Sequence, residues 1–221
     1  MFLFFFEIDA QRARDPWVFR SVMDGTPRAI TFALNYNLWA AYNTENCRLF
    51  KLWNGGVSFR GEVYTGEKVL QPVAVGDTYY DNKDTTLPFY TLQNGDWIMA
   101  KRCKFLKYTI LNNKSTMYYL ITDINGNEYE ISESPEYTSN QLNEIGFSRT
   151  WYVNGPNKNV TIGAKISLIQ MNAFKSYFAT SEVFLLQKTE SYIKGNTIYS
   201  AEAIMPLVFD RKNELINYFK K

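Results

Sequence analysis

The chain has no histidine. Ser-His-Asp and Cys-His catalysis, histidine-ligated zinc and histidine-ligated haem are therefore excluded within it. Cysteine occurs only as Cys47 and Cys103, far apart in sequence and outside any C-x-x-C pattern. No covalent haem attachment site exists, and two readings of the cysteines stay open: one disulfide if the protein is exported, or two buried free thiols. A charge excess is also missing. The 24 basic and 22 acidic residues are interspersed and leave a net charge of +2, so nucleic acid is not an expected partner. No apolar run approaches the roughly 18 residues that span a bilayer as a helix, so no membrane span is expected. The glycines Gly55, Gly56 and Gly61 are too sparse for a phosphate loop and precede no helix.

What the chain has is aromatic side chains: 16 Tyr, 16 Phe and 5 Trp among 221 residues. Aromatics favour pleated, half-buried surfaces and bury large areas, so the excess points to a β-protein. A chain of this length buries about 70% of its unfolded surface and needs no staple to fold. Alternation of period two begins after Pro27, with Ile30, Phe32 and Leu34 on one face. Leu38 to Tyr42 and Cys47 to Trp53 read as the next two strands. Asn54-Gly55-Gly56 reads as a break, and Val57 to Thr65 as a strand bulged at Gly61. Asn125-Gly126 between two aromatic-rich runs is the strongest hairpin signal. Ser134-Pro135 reads as a strand end, and 136–143 as a polar loop. Val160, Ile162, Ala164, Ile166 and Leu168 give the strictest alternation and predict a central strand. Further strands fit 172–179, 182–188 and 197–204.

Two segments read as helices or ends. Asp15-Pro16 through Gly25 carries a cap, a proline suited to the first helical turn and a terminal glycine, and predicts a short helix. Residues 211–221 read as a terminal amphipathic helix or a fraying tail. The expected architecture is all-β: a large antiparallel β-sandwich of the supersandwich type with a short N-terminal helix. Its parts are residues 1–11, read as a truncated signal segment or an apolar first strand, one sandwich domain at 12–210 and a C-terminal tail at 211–221.

Without histidine, an enzyme would rely on carboxylates. Glu128 and Glu130 share a strand face, with Glu133 and Glu136 following, and a spacing of about 7 Å would suit glycoside hydrolysis. A solvated strand face accounts for them more simply. Arg48, Arg60 and Glu62 flank the Trp53 and Tyr64 rings, with Asn54 in the turn. A ring face bordered by planar polar groups is what a sugar cleft requires, although core packing explains the same letters. Leu38, Tyr42, Leu49 and Trp53 are assigned to packing, and Asn54, Arg60, Glu62 and Tyr64 to a candidate ligand site. No catalytic residue, metal ligand or cofactor is assigned.

Asp15-Pro16-Trp17-Val18-Phe19-Arg20-Ser21-Val22-Met23-Asp24, the run from Leu38 to Val57 and Phe59-Arg60-Gly61-Glu62-Val63-Tyr64-Thr65 carry a resemblance that extends loosely to about Leu168. The chain resembles the N-terminal β-domain of large exported bacterial multidomain proteins that also bear a sorbosone or glucose dehydrogenase-like propeller and a c-type cytochrome module. It departs from them at Gln71-Pro72, where a His-Gly-Pro-Gln-Pro run is expected, and at Arg60, where Asp is usual. The resemblance implies a periplasmic or secreted, non-catalytic accessory domain of a carbohydrate or alcohol oxidation system. Such a domain would bind carbohydrate or dock a propeller or cytochrome module. A carboxylate-dependent enzyme on a sandwich and a purely structural domain or gene fragment are the alternatives.

Overall fold

A computed structural model describes residues 15–59, 71–156, 159–168, 174–178 and 201–219. The described residues form strands and no helix, in three antiparallel sheets arranged as a sandwich. The first sheet follows chain order: β1 (Trp17–Met23), β2 (Thr26–Ala33), β3 (Leu38–Asn43), β4 (Arg48–Ser58) and β5 (Val73–Asp81). A four-stranded sheet holds β6 (Phe89–Gln93) and β7 (Asp96–Met99), with β12 (Thr161–Leu168) and β14 (Ala201–Leu207) beside them in the order β14-β12-β6-β7. The six-stranded sheet runs β13-β15-β11-β10-β9-β8. Its members are β8 (Arg102–Leu111), β9 (Lys114–Thr122), β10 (Glu128–Ser139), β11 (Ile145–Asn154), β13 (Phe174–Phe178) and β15 (Asn213–Phe219). One cluster of buried apolar side chains draws on all three sheets, from Phe32 and Leu52 through Ile121 and Trp151 to Ile162 and Leu215.

The short N-terminal helix is not found. Trp17–Met23 is instead an edge strand paired with β2. Asp24 and Gly25 take φ of 47° and 77°, the left-handed pair that a two-residue hairpin turn requires. The glycine read as a helix cap serves a turn with the same backbone sign. Residues 213–219 are likewise no helical tail but a strand lying between β11 and β13. Pro135 does not end its strand: β10 continues to Ser139 along β11. Pairing with β9 stops at Glu133, so a residue lacking an N–H is tolerated beyond that point. The hairpin at Asn125-Gly126 and the interior position of β12 agree with expectation. The strand read at 182–188, the bulge at Gly61 and the segment 1–11 lie outside the described residues.

β4 also runs straight through Asn54-Gly55-Gly56. Gly55 and Gly76 face each other across β4 and β5 with φ of 129° and 116°, and a methyl group on either would overlap the opposing backbone. Glycine here permits a close approach of two strands at a bend, rather than a break. Beyond the bend the ribbon curls until the sheet's edge strands meet. Asp24 N–H donates to the Pro72 carbonyl at 3.1 Å, and Ala74 N–H donates to Asp24 Oδ1 at 2.9 Å. Lys51 Nζ bonds Asp24 as well and stands 3.2 Å from Asp81. The concave face encloses its own core of Met23, Trp39, Phe50 and Trp53, against which Phe19, Val57 and Ala74 pack.

Candidate functional site

The curl determines where aromatic rings remain open to solvent. Trp39 and Trp53 are directly opposed on β3 and β4, and their rings stack at 5.9 Å with 13° between planes. Both are buried, and their indole N–H groups donate to the carbonyls of Gly55 and Gly56 at 2.8 Å, which satisfies the polar handle each buries. Further out lie Trp17 and Phe19, one strand repeat apart on β1, and Phe59, which immediately follows β4. Trp17 meets Trp39 edge-on at 6.1 Å and touches Phe19 at 5.1 Å, while Phe59 lies 5.2 Å from Phe19 and 6.1 Å from Trp17. Trp17 is 39% exposed and Phe59 40%. The result is an aromatic mouth: an inner buried pair supporting an outer, half-open trio.

Of the residues proposed from sequence, Arg60, Glu62 and Tyr64 lie outside the described residues. Asn54 is described, and the register sets it opposite Leu38 and Asp77, on the face of the sheet away from Trp53. Its Oδ1 is buried without a hydrogen-bond partner. Asn54 is therefore not brought together with the aromatic mouth. Arg48 is not beside Trp53 either; its Nη1 donates to Asp84 Oδ2 at 2.8 Å and to Thr86 Oγ1 at 2.9 Å. Leu38, Tyr42, Leu49 and Trp53 are core residues, as assigned. A helical reading of Trp17 and Phe19 hides the trio they form with Phe59. As a strand, the same letters put both rings on one side.

The glutamates separate by strand parity. Glu128 and Glu130 are exposed, whereas Glu133 is completely buried. Its Oε1 accepts from Tyr42 Oη at 2.7 Å and Arg149 Nε at 2.7 Å, and its Oε2 accepts from Tyr119 Oη at 3.4 Å. Burial, reinforced by the Glu133 charge, pushes the Tyr42 and Tyr119 phenols well above their ordinary range. Burial alone would lower the Arg149 guanidinium, but the charge and hydrogen bond of Glu133, together with the Tyr42 and Tyr119 hydroxyls, outweigh it and the net direction is upward. Such a cluster binds two sheets together and offers no carboxyl to a substrate. Cys47 and Cys103 also lie in this core. Both are free thiols, and burial, reinforced by the neighbouring Cys47, pushes the Cys103 thiol up.

At the far end of the first sheet, the turns after β1 and β3 and the loop after β5 border a polar cleft of about 270 Å³. Asn43, Glu45, Asn46 and Lys83 line it, but its one ring, Phe50, is buried. Among the described residues no three metal-ligating side chains gather, and no helix is long and apolar enough to cross a membrane. Comparison with protein-family models and with curated proteins finds no match.

Proposed function

We propose that this chain is a non-catalytic carbohydrate-binding domain whose ligand rests on the aromatic mouth of the curled first sheet. The observation that carries the reading is the trio of Trp17, Phe19 and Phe59, mutually in contact yet with Trp17 and Phe59 about two-fifths exposed. Sugars present C–H faces to such rings, and a rigid inner pair beneath them limits the ordering cost of binding. The sealing of Glu133 removes one carboxylate from the competing enzymatic reading. The resemblance drawn above favours export and an accessory role beside a carbohydrate- or alcohol-oxidising partner.

A glycan array followed by calorimetry tests the proposal. Binding is expected on the folded protein, and Trp17→Ala or Phe59→Ala should each weaken it about fivefold or more, which corresponds to about 1 kcal/mol per ring contact. No glycan bound by folded protein, or binding indifferent to both substitutions, would refute it.

A further inference from the structure

β8 is the outermost strand of the six-stranded sheet, and among the described residues its second edge pairs with no strand. It runs for 10 residues, most of them exposed. The other sheet edges are closed or blunted. β1 and β5 meet through Asp24 and Pro72, β7 and β13 have only 4 and 5 residues, and β14 carries Pro206, which has no N–H to offer a neighbour. β8 is the long open edge.

A bulge at Leu106 divides the strand. On the solvent face, Arg102 and Lys104 stand opposite Thr122 and Leu120, and Lys107, past the bulge, stands opposite Tyr118 with Nζ 5.0 Å from that ring. β8 contains no carboxylate, and none of these three cations is in an ion pair among the described residues. On the other face, Phe105 opposes the buried Tyr119 and lies 5.8 Å from the Arg20 guanidinium of β1. Tyr108 and Ile110 follow on that face, opposite the buried Met117 and Ser115, yet they are 38% and 47% exposed. They face the interior side of the sheet at a place the sandwich leaves open. An unpaired edge holds a row of N–H and C=O groups that an extended peptide can complete as an added strand. The cations select among such peptides: a neutral or basic strand, or a second copy of β8, brings them no negative charge, whereas an acidic strand does.

We propose that the free edge of β8 receives an extended acidic segment of a partner protein as an added strand, with its carboxylates beside Arg102, Lys104 and Lys107 and its apolar side chains over Tyr108 and Ile110. The test titrates the whole chain into a fluorescein-labelled peptide of about ten residues, in which valine alternates with threonine over the first half and glutamate with threonine over the second. Fluorescence anisotropy reads binding, and hydrogen exchange locates it. Saturable binding is expected, weakening as sodium chloride rises from about 50 to about 200 mM, with the amides of β8 gaining protection. Lys104→Glu combined with Lys107→Glu changes only exposed side chains and should weaken the peptide about tenfold or more. The same peptide with lysine in place of glutamate should not bind. No saturable binding to the folded protein, equal affinity for the lysine peptide or for the double variant, protection confined to strands other than β8, or dimerisation of the chain through β8 without peptide would overturn the proposal.

Discussion

Replacing Arg149 by Met, with Glu133 left in place, tests whether the centre of the sandwich is held by charge. Glu133 has no solvent exposure, and its three donors come from β3, β9 and β11. In the single variant, Tyr42 and Tyr119 still donate, but the carboxylate loses its only cationic partner among the described residues. Breaking a buried pair from one side costs about 3–5 kcal/mol, because an uncompensated charge remains. For a chain of this size that corresponds to a melting point lower by roughly 6–20 °C. Glu133→Gln combined with Arg149→Met removes both charges and should recover most of the loss, since an apolar or neutral pair of similar volume is often no less stable. Urea denaturation of the wild type, both single variants and the double variant closes the cycle. A loss under about 1 kcal/mol in Arg149→Met, or a double variant as unstable as the sum of the singles, would refute the reasoning.

Three further outcomes follow from the same geometry. Gly55→Ala should cost about 3 kcal/mol, since its φ is 129° and the added methyl would overlap the Val75 carbonyl, whereas Gly56→Ala meets nothing within 4 Å and should stay within about 0.5 kcal/mol; thermal melts separate them. Refolding with oxidised glutathione should join Cys47 to Cys103 through exchange that releases two molecules of reduced glutathione, a change read as two hydrogens lost by mass spectrometry and a stabilisation of up to roughly 4 kcal/mol. Burial alone would raise the Asp84 carboxyl, but hydrogen bonds from Thr86 and the charges of Arg48 and Lys165 hold it down at about 2 instead of 3.8. A carboxyl lowered in the folded state stabilises above its unfolded pKa, so about 1 kcal/mol, after solvent screening, should disappear as pH falls from about 4 to about 2, and Asp84→Asn should flatten that part of the stability profile.

How much was legible depends on whether a local signal and the fold asked for the same thing. Ile162, Ala164 and Ile166 alternate and are buried on one face, so β12 could be read directly. Asp24-Gly25 is ambiguous in physics, because a left-handed glycine closes a helix and turns a hairpin equally well. At the C-terminus the buried positions are Asn213, Leu215, Asn217 and Phe219, a period of two in which alternate members are polar. Asn213 is buried because its amide donates to the carbonyls of Val208 and Arg211, and no hydropathy pattern records that. In β4 the register slips by one residue at Phe50, which puts Cys47, Leu49 and Leu52 toward the main core and Phe50 and Trp53 on the concave face. A bulge reverses the inward face, and strict alternation misassigns everything beyond it.

The aromatic mouth shows the same dependence in a sharper form. Its rings come from positions 17, 19 and 59, and nothing local couples them. They meet because two glycines twenty-one positions apart, Gly55 and Gly76, face each other and let the β4–β5 ribbon fold back toward β1. The residues that decide the site's existence are therefore not those that would touch a ligand. If that is so, Gly76→Ala should loosen the mouth without touching a ring. The Trp17 indole fluorescence should shift red as exposure rises, while Glu133 and its donors, which lie on the other face of the sheet, keep the main core folded. A cooperative loss of both regions together would show instead that the curled sheet cannot open independently, and that the mouth is as rigid as the core beneath it.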